Sequence, residues 1–339
     1  MSSLDQSLAG APPATAAERP AQPARLWTTG LVAALAWLVL AALTWQWPNR
    51  KVGFADWAYT TEFAIGVAVL AAFLALVAVL RRRSVFAWLR PAGPWLVALP
   101  VLFAVWEVVT AKLALLPVPF FAPPQALIEV YADDWPRLGD SLVNSLWLLA
   151  NGYVLGAVSG FLTGVAVGWS RALGYWVHPV LRLLGPIPST ALLPLAFFFF
   201  PSSWAAAVFL IALATWFPVT VLTWSGVASV DRAYYDVART LGAGERFLVL
   251  RVAIPAALPH VFVGLFMGLG ASFSVLVAAE MMGVKSGLGW YLQWAQGWAS
   301  YSNMYAALIV MALVFSGLIT LLFRLRDRLL AWQKGVVRW

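Results

Sequence analysis

The chain contains few residues that could perform covalent or metal chemistry. It has 339 residues and no cysteine, and its two histidines are His178 and His260. Disulfides, thiolate metal sites and a cysteine nucleophile are therefore excluded, and two imidazoles are too few for a three-histidine zinc site. No serine, histidine and acidic residue have the spacing of a catalytic triad, and no paired carboxylates suggest acid–base catalysis. We expect no catalytic residue, no metal site and no bound cofactor.

Polar residues inside apolar stretches are the next candidates, because they are costly in a membrane and often mark a translocation path. Glu280 lies near the end of one such stretch. Elsewhere, the prolines of segment 185–188 interrupt helical hydrogen bonding, so free carbonyls and neighbouring hydroxyls could line a cavity. The alternatives are a structural hydrogen bond for Glu280 and, for segment 185–188, a turn at the start of a helix. The predicted path comprises Ser189, Thr190, Ser272, Ser274 and Glu280.

An acidic and a basic residue lie together near the end of a different apolar stretch. Glu107 and Lys112 are five residues apart, which does not suit the usual contact between residues four apart on an α-helix. Local support near the membrane interface is the favoured interpretation, and a role in substrate binding is the alternative.

Apolar helices must position these residues. Hydrophobic residues form 62% of the chain and charged residues only 11%, which is typical of a membrane protein. Since a span needs about 20 apolar residues, we predict an all-α, polytopic membrane protein with about eight spans. The third uncharged run continues past Glu107, and the fifth holds two spans divided near Pro201. The runs are Leu26–Asn49, Phe63–Leu80, Pro91–Trp106, Ser141–Ser170, Leu183–Val230, Val252–Ala279 and, approximately, Asn303–Phe323.

The distribution of positive charge predicts the orientation. With both termini in the cytoplasm, 17 of the 22 lysines and arginines lie on the inside, as the positive-inside rule requires. The net charge of +8 is therefore explained by topology and is not a sign of nucleic-acid binding. Residues 1–24 have the composition of a disordered cytoplasmic tail.

Five glycines recur every four residues in the predicted fourth span, and we call them the glycine ladder. They let another helix approach closely, at an angle because the ladder drifts around its own helix. A shorter pair in the seventh span is the predicted counterpart. A dimer seam or a substrate-lining wall is the alternative to packing inside one subunit. The ladder is Gly152, Gly156, Gly160, Gly164 and Gly168, and the pair is Gly264 and Gly268.

Segment 231–255, which we call the coupling segment, is the largest charged stretch between membrane helices. Its apolar spacing predicts two short helices joined by glycines at the membrane surface, with Pro255 breaking the second helix. An ordinary solvated loop is the alternative. An acidic residue, an alanine, a glycine and a final aliphatic-x-aliphatic-Pro are spaced as in the EAA loop of ABC-importer permeases, which the segment resembles. The matching residues are Asp236, Ala238, Gly242, Val252, Ile254 and Pro255; Val237 stands where an alanine is usual, and Asp236 where a glutamate is usual.

Further segments resemble the nitrate, sulfonate, taurine and bicarbonate branch of these permeases, and the resemblance covers about residues 94–334. They include Trp106-Glu107, Pro117–Pro124, Gly185–Pro188 with Leu193-Pro194-Leu195, Ala278–Gly283 and Gly287-Leu288-Gly289. The resemblance implies a type I importer fold with a core of about six helices at 91–339, to which 25–90 adds two N-terminal helices.

The same resemblance implies a bacterial inner-membrane protein that pairs with itself. Its partners would be cytoplasmic ABC ATPase subunits, docked on residues Asp236–Ala238, Gly242 and Val252–Pro255, and a periplasmic or lipid-anchored solute-binding protein. The chain lacks a P-loop, so ATP would be bound and hydrolysed by the partner subunit. The implied solute is a small organic or inorganic anion such as sulfonate, taurine or nitrate. An ion-gradient-driven transporter or channel without an ATPase is the alternative function.

Overall fold

The structure is a computed structural model that describes residues 27–51, 57–79 and 89–333. The expected all-α fold is confirmed. Seven helices in these ranges are long and apolar enough to cross a membrane, and a bent helix pair makes eight if it counts as one span. The predicted tail, 1–24, lies outside the described residues. The α-helices are α1 Thr28–Gln46, α2 Thr60–Val79, α3 Gly93–Glu107, α4 Pro124–Asp133, α5 Trp135–Trp169, α6 Arg171–Leu184, α7 Leu193–Phe199, α8 Ser203–Ala228, α9 Arg232–Thr240, α10 Glu245–Phe247, α11 Ile254–Met282, α12 Leu288–Gly297 and α13 Tyr301–Leu329.

The chain divides into two compact units. The first contains residues 1–48 and 61–106, and the second contains 49–60 and 107–339. In the first unit, the indole N–H of Trp37 on α1 donates a hydrogen bond of 2.9 Å to the carbonyl of Leu96 on α3. The ring of Phe103 on α3 lies 6.0 Å from that of Trp37 and 6.4 Å from that of Phe63 on α2. These contacts join three apolar helices into a small bundle.

The second unit is built around α8, which packs along both α5 and α11. Every glycine of the ladder faces α8: a Cβ on Gly152 would lie 2.5 Å from the Ile211 side chain, and one on Gly164 would lie 2.7 Å from the Thr220 carbonyl. The close approach also lets the Thr220 hydroxyl donate a hydrogen bond of 3.2 Å to the Gly160 carbonyl. The backbones of α5 and α8 are thus almost in contact over four turns.

The predicted counterpart of the ladder is wrong. Gly264 and Gly268 lie on α11, but they pack against Val219 and Thr215 of α8 rather than against α5. Both small-residue surfaces therefore meet one central helix. The spacing of the glycines identified the surfaces correctly as places of close approach, but it carries no information about which helix fills them.

The predicted fifth span begins at a sharp corner between two helices. Helix α6 ends at Leu184, a 3₁₀ turn covers Ser189–Leu192, and α7 then leaves at 87° to α6. Pro186 and Pro188 stand between the helices, where neither can donate a backbone hydrogen bond. The proline-rich segment therefore forms the corner of a bent pair, and α8 begins after Ser202, close to the predicted division.

The seventh span begins earlier than predicted. Helix α10, a π-helical turn at Leu248–Ala253 and α11 form one continuous helix over Glu245–Met282. The prediction that Pro255 breaks this helix is wrong: Pro255 lies inside the continuous helix, directly after the π-helical turn, and such a local change of hydrogen bonding accommodates a proline within a membrane helix. Pro259 also lies within α11. The second short helix of the coupling segment is therefore the end of a membrane helix.

Replacing Gly156 with alanine should destabilise the protein. The new Cβ would collide with the Ala212 carbonyl and lie 2.7 Å from the Thr215 Cβ, so α5 and α8 would have to separate. We expect a loss of about 1–3 kcal/mol, the range for overpacked cores, measured as a lower melting temperature in detergent. Gly139→Ala on the same helix is the matched control because its Cβ would enter open space; equal losses in both variants would contradict the packing argument.

Candidate functional site

The coupling segment is well ordered at both ends. The Asp231 side chain caps α9 by accepting a hydrogen bond of 2.9 Å from the backbone N–H of Ala233. The ring of Tyr235 packs edge-on against Trp169 at the end of α5, at a centroid distance of 5.7 Å. Near its C-terminal end, Leu248 and Ala253 are fully buried. The segment is therefore held against the helix bundle although α9 itself has no buried residue.

Gly242 makes the turn between α9 and α10. Its φ of +83° lies in the left-handed region, which favours glycine over residues with a side chain. Gly244 follows with an extended backbone that any residue can adopt. A salt bridge of 3.4 Å between Arg239 and Glu245 spans the turn, but both side chains are more than half exposed, so its contribution is small.

An apolar groove of about 610 Å³ runs along the coupling segment. Its walls are large side chains that face away from the helix bundle: Leu241 is 83% exposed, and Tyr234, Val237 and Phe247 are each at least half exposed. Ala238 and Gly242 also line the groove. Asp236, by contrast, faces a neighbouring polar pocket with Arg171, Arg232 and Arg239. An exposed apolar groove of this kind is typical of a surface that binds another protein.

Val252, Ile254 and Pro255 lie at the root of the coupling segment. All three are half-buried in the continuous helix over Glu245–Met282, while Ala253 between them packs with Val227 of α8. The predicted site residues thus separate into an exposed part, at Asp236–Gly242, and a part at Val252–Pro255 that fixes the exposed part to the membrane helices.

Glu280 forms a junction between three helices. The side chain is 1% exposed. Its Oε1 atom accepts a hydrogen bond of 2.6 Å from the hydroxyl of Ser145 on α5, and its Oε2 atom accepts one of 2.7 Å from the backbone N–H of Gly289 on α12. The Ser145 hydroxyl in turn accepts a bond of 2.7 Å from the N–H of Leu288. The carboxylate and hydroxyl together satisfy the first two N–H groups of α12.

Two glycines make this junction possible. Gly287 has a φ of +106°, and a Cβ there would collide with the Glu280 carboxylate; a Cβ on Gly289 would lie 2.6 Å from the carbonyl of Val277. The cavity beside Glu280 measures only about 10 Å³, which is too small for a solute. This geometry favours a structural role for Glu280 over its predicted place on a translocation path.

The other predicted path residues lie in different environments. Ser272 is fully buried and bonds the Leu269 carbonyl of its own helix, whereas Ser274 is exposed and bonds that of Gly270. Ser189 is half-buried and Thr190 exposed, at the corner between α6 and α7. The structure therefore does not bring the five residues together into one site within a single chain.

The sequence was then compared with known proteins. The family model described as "Binding-protein-dependent transport system inner membrane component" matches residues 152–334, more than half of the chain. The chain belongs to this family.

Similar relatives identify the branch of these permeases. The nitrate import permease protein NrtB of Synechococcus elongatus is 31% identical over 76% of this chain and 94% of its own. The putative aliphatic sulfonates transport permease protein SsuC of Bacillus subtilis is 29% identical over 69% of this chain and 86% of its own. The bicarbonate transport system permease protein CmpB of S. elongatus is 32% identical over 58% and 68%. The permease belongs to this nitrate, sulfonate and bicarbonate branch.

Family membership also decides between the two functions that remained open. The chain is a multi-pass inner-membrane permease of an ABC importer, and the comparisons support this over an ion-gradient-driven transporter. As a permease it is a transport subunit rather than an enzyme. The match includes the glycine ladder, the coupling segment and Glu280, so all three belong to the part of the chain that is shared with the family.

Several residues of the permease sites were not predicted from sequence. Ser145 lies among apolar residues of α5 with no local sign of its partner. Gly287 and Gly289 follow Glu280 closely in the sequence. Two glycines so near an acidic residue in an apolar stretch are the sequence signal that could have indicated the junction. Asp134, Tyr291 and Asn303 form a further polar cluster, with bonds of 2.7 Å from the Tyr291 hydroxyl to Asp134 and 3.2 Å from the Asn303 amide to Asp134.

Glu107 and Lys112 form a buried ion pair despite their unfavourable spacing. Lys112 Nζ lies 3.3 Å from Glu107 Oε1, and both side chains are fully buried. The helix becomes π-helical over Val108–Lys112, which brings residues five apart onto one face. Lys112 also donates a hydrogen bond of 2.8 Å to the Asn49 side chain. The pair is thus a local structural feature, and it also holds the Asn49 side chain.

Replacing Lys112 with methionine should strongly destabilise the permease. The change leaves the Glu107 carboxylate buried without its cation, which typically costs about 3–5 kcal/mol. The additional replacement Glu107→Leu should recover most of that loss, because it removes the stranded charge. Melting temperatures of the two variants in detergent test this; a double variant no more stable than the single one would contradict it.

Proposed function

We propose that this permease forms the path by which a small anion is imported at the expense of ATP. The support is the shared chemistry of the relatives, whose names specify nitrate, aliphatic sulfonates and bicarbonate. A solute-binding protein, periplasmic or lipid-anchored, delivers the anion from outside, and separate cytoplasmic ABC ATPase subunits hydrolyse ATP. Sulfonate, taurine and nitrate are the solutes that we favour.

The coupling segment is the proposed contact with the ATPase, and this surface is the observation that carries the proposal. It joins an exposed apolar groove to the beginning of a helix that continues through the membrane. A partner bound at Val237, Ala238 and Gly242 would therefore act directly on the helix that contains Val252–Pro255. A solvated loop would not need an apolar groove whose large side chains are exposed.

The proposed orientation places both termini in the cytoplasm. Four exposed arginines support it: Arg171 and Arg182 on α6, Arg239 on α9 and Arg251 in the π-helical turn. In this orientation all four lie on the cytoplasmic side, as the positive-inside rule requires. The coupling segment then lies on the cytoplasmic side, where ATPase subunits are found, and the Glu280 junction lies near the outer side.

The functional unit is proposed to be a homodimer surrounded by membrane lipid. The bent pair α6–α7 supports this, because it presents large aromatic side chains that are mostly exposed: Tyr175, Trp176, Phe198 and Phe199 are 73–80% exposed. Ser189 and Thr190 lie at its corner. A second copy against this corner would enclose them, so they remain the proposed path residues, whereas Ser272 and Glu280 are enclosed already.

The division of the chain into residues 25–90 and 91–339 remains a prediction, and we propose a role for its N-terminal part. Residues 25–90 contribute two helices in addition to a permease core at 91–339. The compact units divide at Trp106 instead, because α3 packs with α1 and α2. We propose that the two N-terminal helices support α3 and do not line the path.

Replacing Gly242 with valine should uncouple the permease from its ATPase. A β-branched residue at a φ of +83° is strained by about 1–3 kcal/mol, so the turn will change shape. We expect the co-purified ATPase and ATP-driven uptake to fall at least fivefold while the amount of inserted permease stays constant. Gly244→Val is the matched control, because that position is equally open but has an ordinary φ. Normal uptake in Gly242→Val, or uptake by the chain alone in liposomes, would contradict the proposal.

The solute class can be tested by uptake into cells that express the permease with its partners. Nitrate, taurine and an alkanesulfonate are offered separately in labelled form, with bicarbonate as the fourth anion. We expect one of these anions to accumulate at least tenfold above cells lacking the permease, and unlabelled solute of the same kind to abolish the signal. Uptake of a neutral sugar or a cation in place of all four would overturn the anion assignment.

A further inference from the structure

The helix that contains Glu280 begins at the coupling segment. It is continuous over Glu245–Met282, so at 1.5 Å per residue Glu280 lies about 50 Å along the helix from the groove. Gly264 and Gly268 bring the middle of this helix close to α8: a Cβ on Gly264 would lie 3.0 Å from the Val219 Cα. Such close packing along one face resists bending of the middle of the helix.

At its far end this helix is joined to the start of α12 by hydrogen bonds. Glu280 and Ser145 bind the N–H groups of Gly289 and Leu288, as described above, and leave about 10 Å³ of free space beside them. A hydrogen bond that a carboxylate accepts from an N–H group at a helix N-terminus is stronger than one between neutral groups. Any displacement of the end of α11 is therefore passed to the start of α12.

The rest of α12 connects to the outer ends of three other helices. Tyr291 donates its hydrogen bond to Asp134, between α4 and α5, and accepts one of 2.5 Å from Asn303 at the start of α13. Burial, followed by the hydrogen bond to Asp134, raises the pKa of Tyr291, so the phenol keeps the proton that it donates. The guanidinium of Arg137 also lies 4.4 Å from the ring centroid of Trp294. Helix α12 thus links Glu280 to an entire end of the second unit.

The C-terminal end of α12 forms a surface that suits a protein partner. Trp298 is 74% exposed, and Gln293 and Gln296 beside it are exposed as well. Tryptophan surrounded by uncharged polar residues is typical of the centre of a protein interface. In the proposed orientation this surface faces the solute-binding protein.

We propose that Glu280 is a positioning residue that couples the ATPase side of the permease to its outer surface. It does so by fixing the start of α12 to the end of the helix that contains the coupling segment. The inference rests on the proposed function and adds a specific residue for communication between the two partners. It differs from a place on the translocation path, because Glu280 is buried and the cavity of about 10 Å³ beside it is too small for a solute.

The chemistry explains why a carboxylate is needed here. Glu280 accepts two hydrogen bonds at once, from a hydroxyl and from a backbone N–H. Glutamine has the same shape but one acceptor oxygen and a donating NH₂ group. In Glu280→Gln the amide oxygen can accept from Gly289 and the NH₂ group can donate to Ser145, but both bonds lose their charge assistance. The start of α12 is then held more weakly while the packing volume is kept.

The experiment uses the complete transporter in nanodiscs, with permease, ATPase and solute-binding protein. ATP hydrolysis is measured with and without the solute-loaded binding protein, and the readout is the ratio of the two rates. For Glu280→Gln we expect this stimulation ratio to fall at least fivefold while the ATPase still co-purifies. Gly270→Ala on the same helix is the control, because its Cβ would enter open space, and its ratio should match the wild type.

The outcomes separate the inference from the function on which it rests. An unchanged ratio in Glu280→Gln, or an equal decline of both rates that preserves the ratio, overturns the positioning role. If that variant fails to fold, Ser145→Ala, which removes the acceptor of the Leu288 N–H, must show the lowered ratio instead. A wild-type permease that neither retains an ATPase nor responds to the binding protein would overturn the proposed function itself.

Discussion

Direct backbone contact between α5 and α8 is the constraint on which the rest of this permease depends. Lipid tails are as apolar as leucine side chains, so burial alone does not hold helices together in a bilayer, and close packing must do so. The five glycines of the ladder bring the two backbones almost into contact, and Thr220 adds a hydrogen bond to the Gly160 carbonyl. Helix α11 uses the same means on α8, through Gly264 and Gly268. The three helices thereby form one rigid core.

A charged side chain buried among membrane helices needs local partners, because an unpaired charge in hydrocarbon is costly. Two acidic residues show two solutions. Glu107 finds its cation on the same helix, and a π-helical turn supplies the spacing that an α-helix lacks. Glu280 finds donors on two other helices and so ties them together. The first solution stabilises one helix locally, whereas the second connects helices to each other and is therefore able to communicate movement.

Much of this architecture could be predicted from sequence, for physical reasons that also explain the failures. The all-α fold follows from long apolar runs, and the importer family was predicted from a resemblance that the coupling segment shares with several other segments, among them Ala278–Gly283 and Gly287-Leu288-Gly289. The partner of the glycine ladder could not be predicted, because glycine spacing describes a surface and not its occupant. The contact between Glu107 and Lys112 was missed because a five-residue spacing excludes an α-helical pair, and nothing in the sequence marks a π-turn.

The prolines also show what sequence alone cannot predict, namely whether a given proline ends a helix. Pro186 and Pro188 mark the corner between α6 and α7, as the loss of helical hydrogen bonds predicts, whereas Pro255 and Pro259 lie within a continuous helix. The difference is the surroundings: Pro255 follows a π-helical turn and stands near Ala253, which packs with Val227, so a local change of hydrogen bonding and tertiary contacts hold the helix together there. Residues 185–188 are exposed instead.

Continuity of the helix over Glu245–Met282 determines how the coupling segment can work. A loop joined to the membrane by a flexible hinge would absorb the movement of a docked partner. Here Leu248 and Ala253 bury the root of the segment, the capped helix α9 contacts Trp169, and Gly242 confines the bend to a single turn. The coupling segment is therefore joined directly to α11, which packs on α8 and contacts α12 through Glu280. In the proposed function, a partner bound at the groove would act first on these helices.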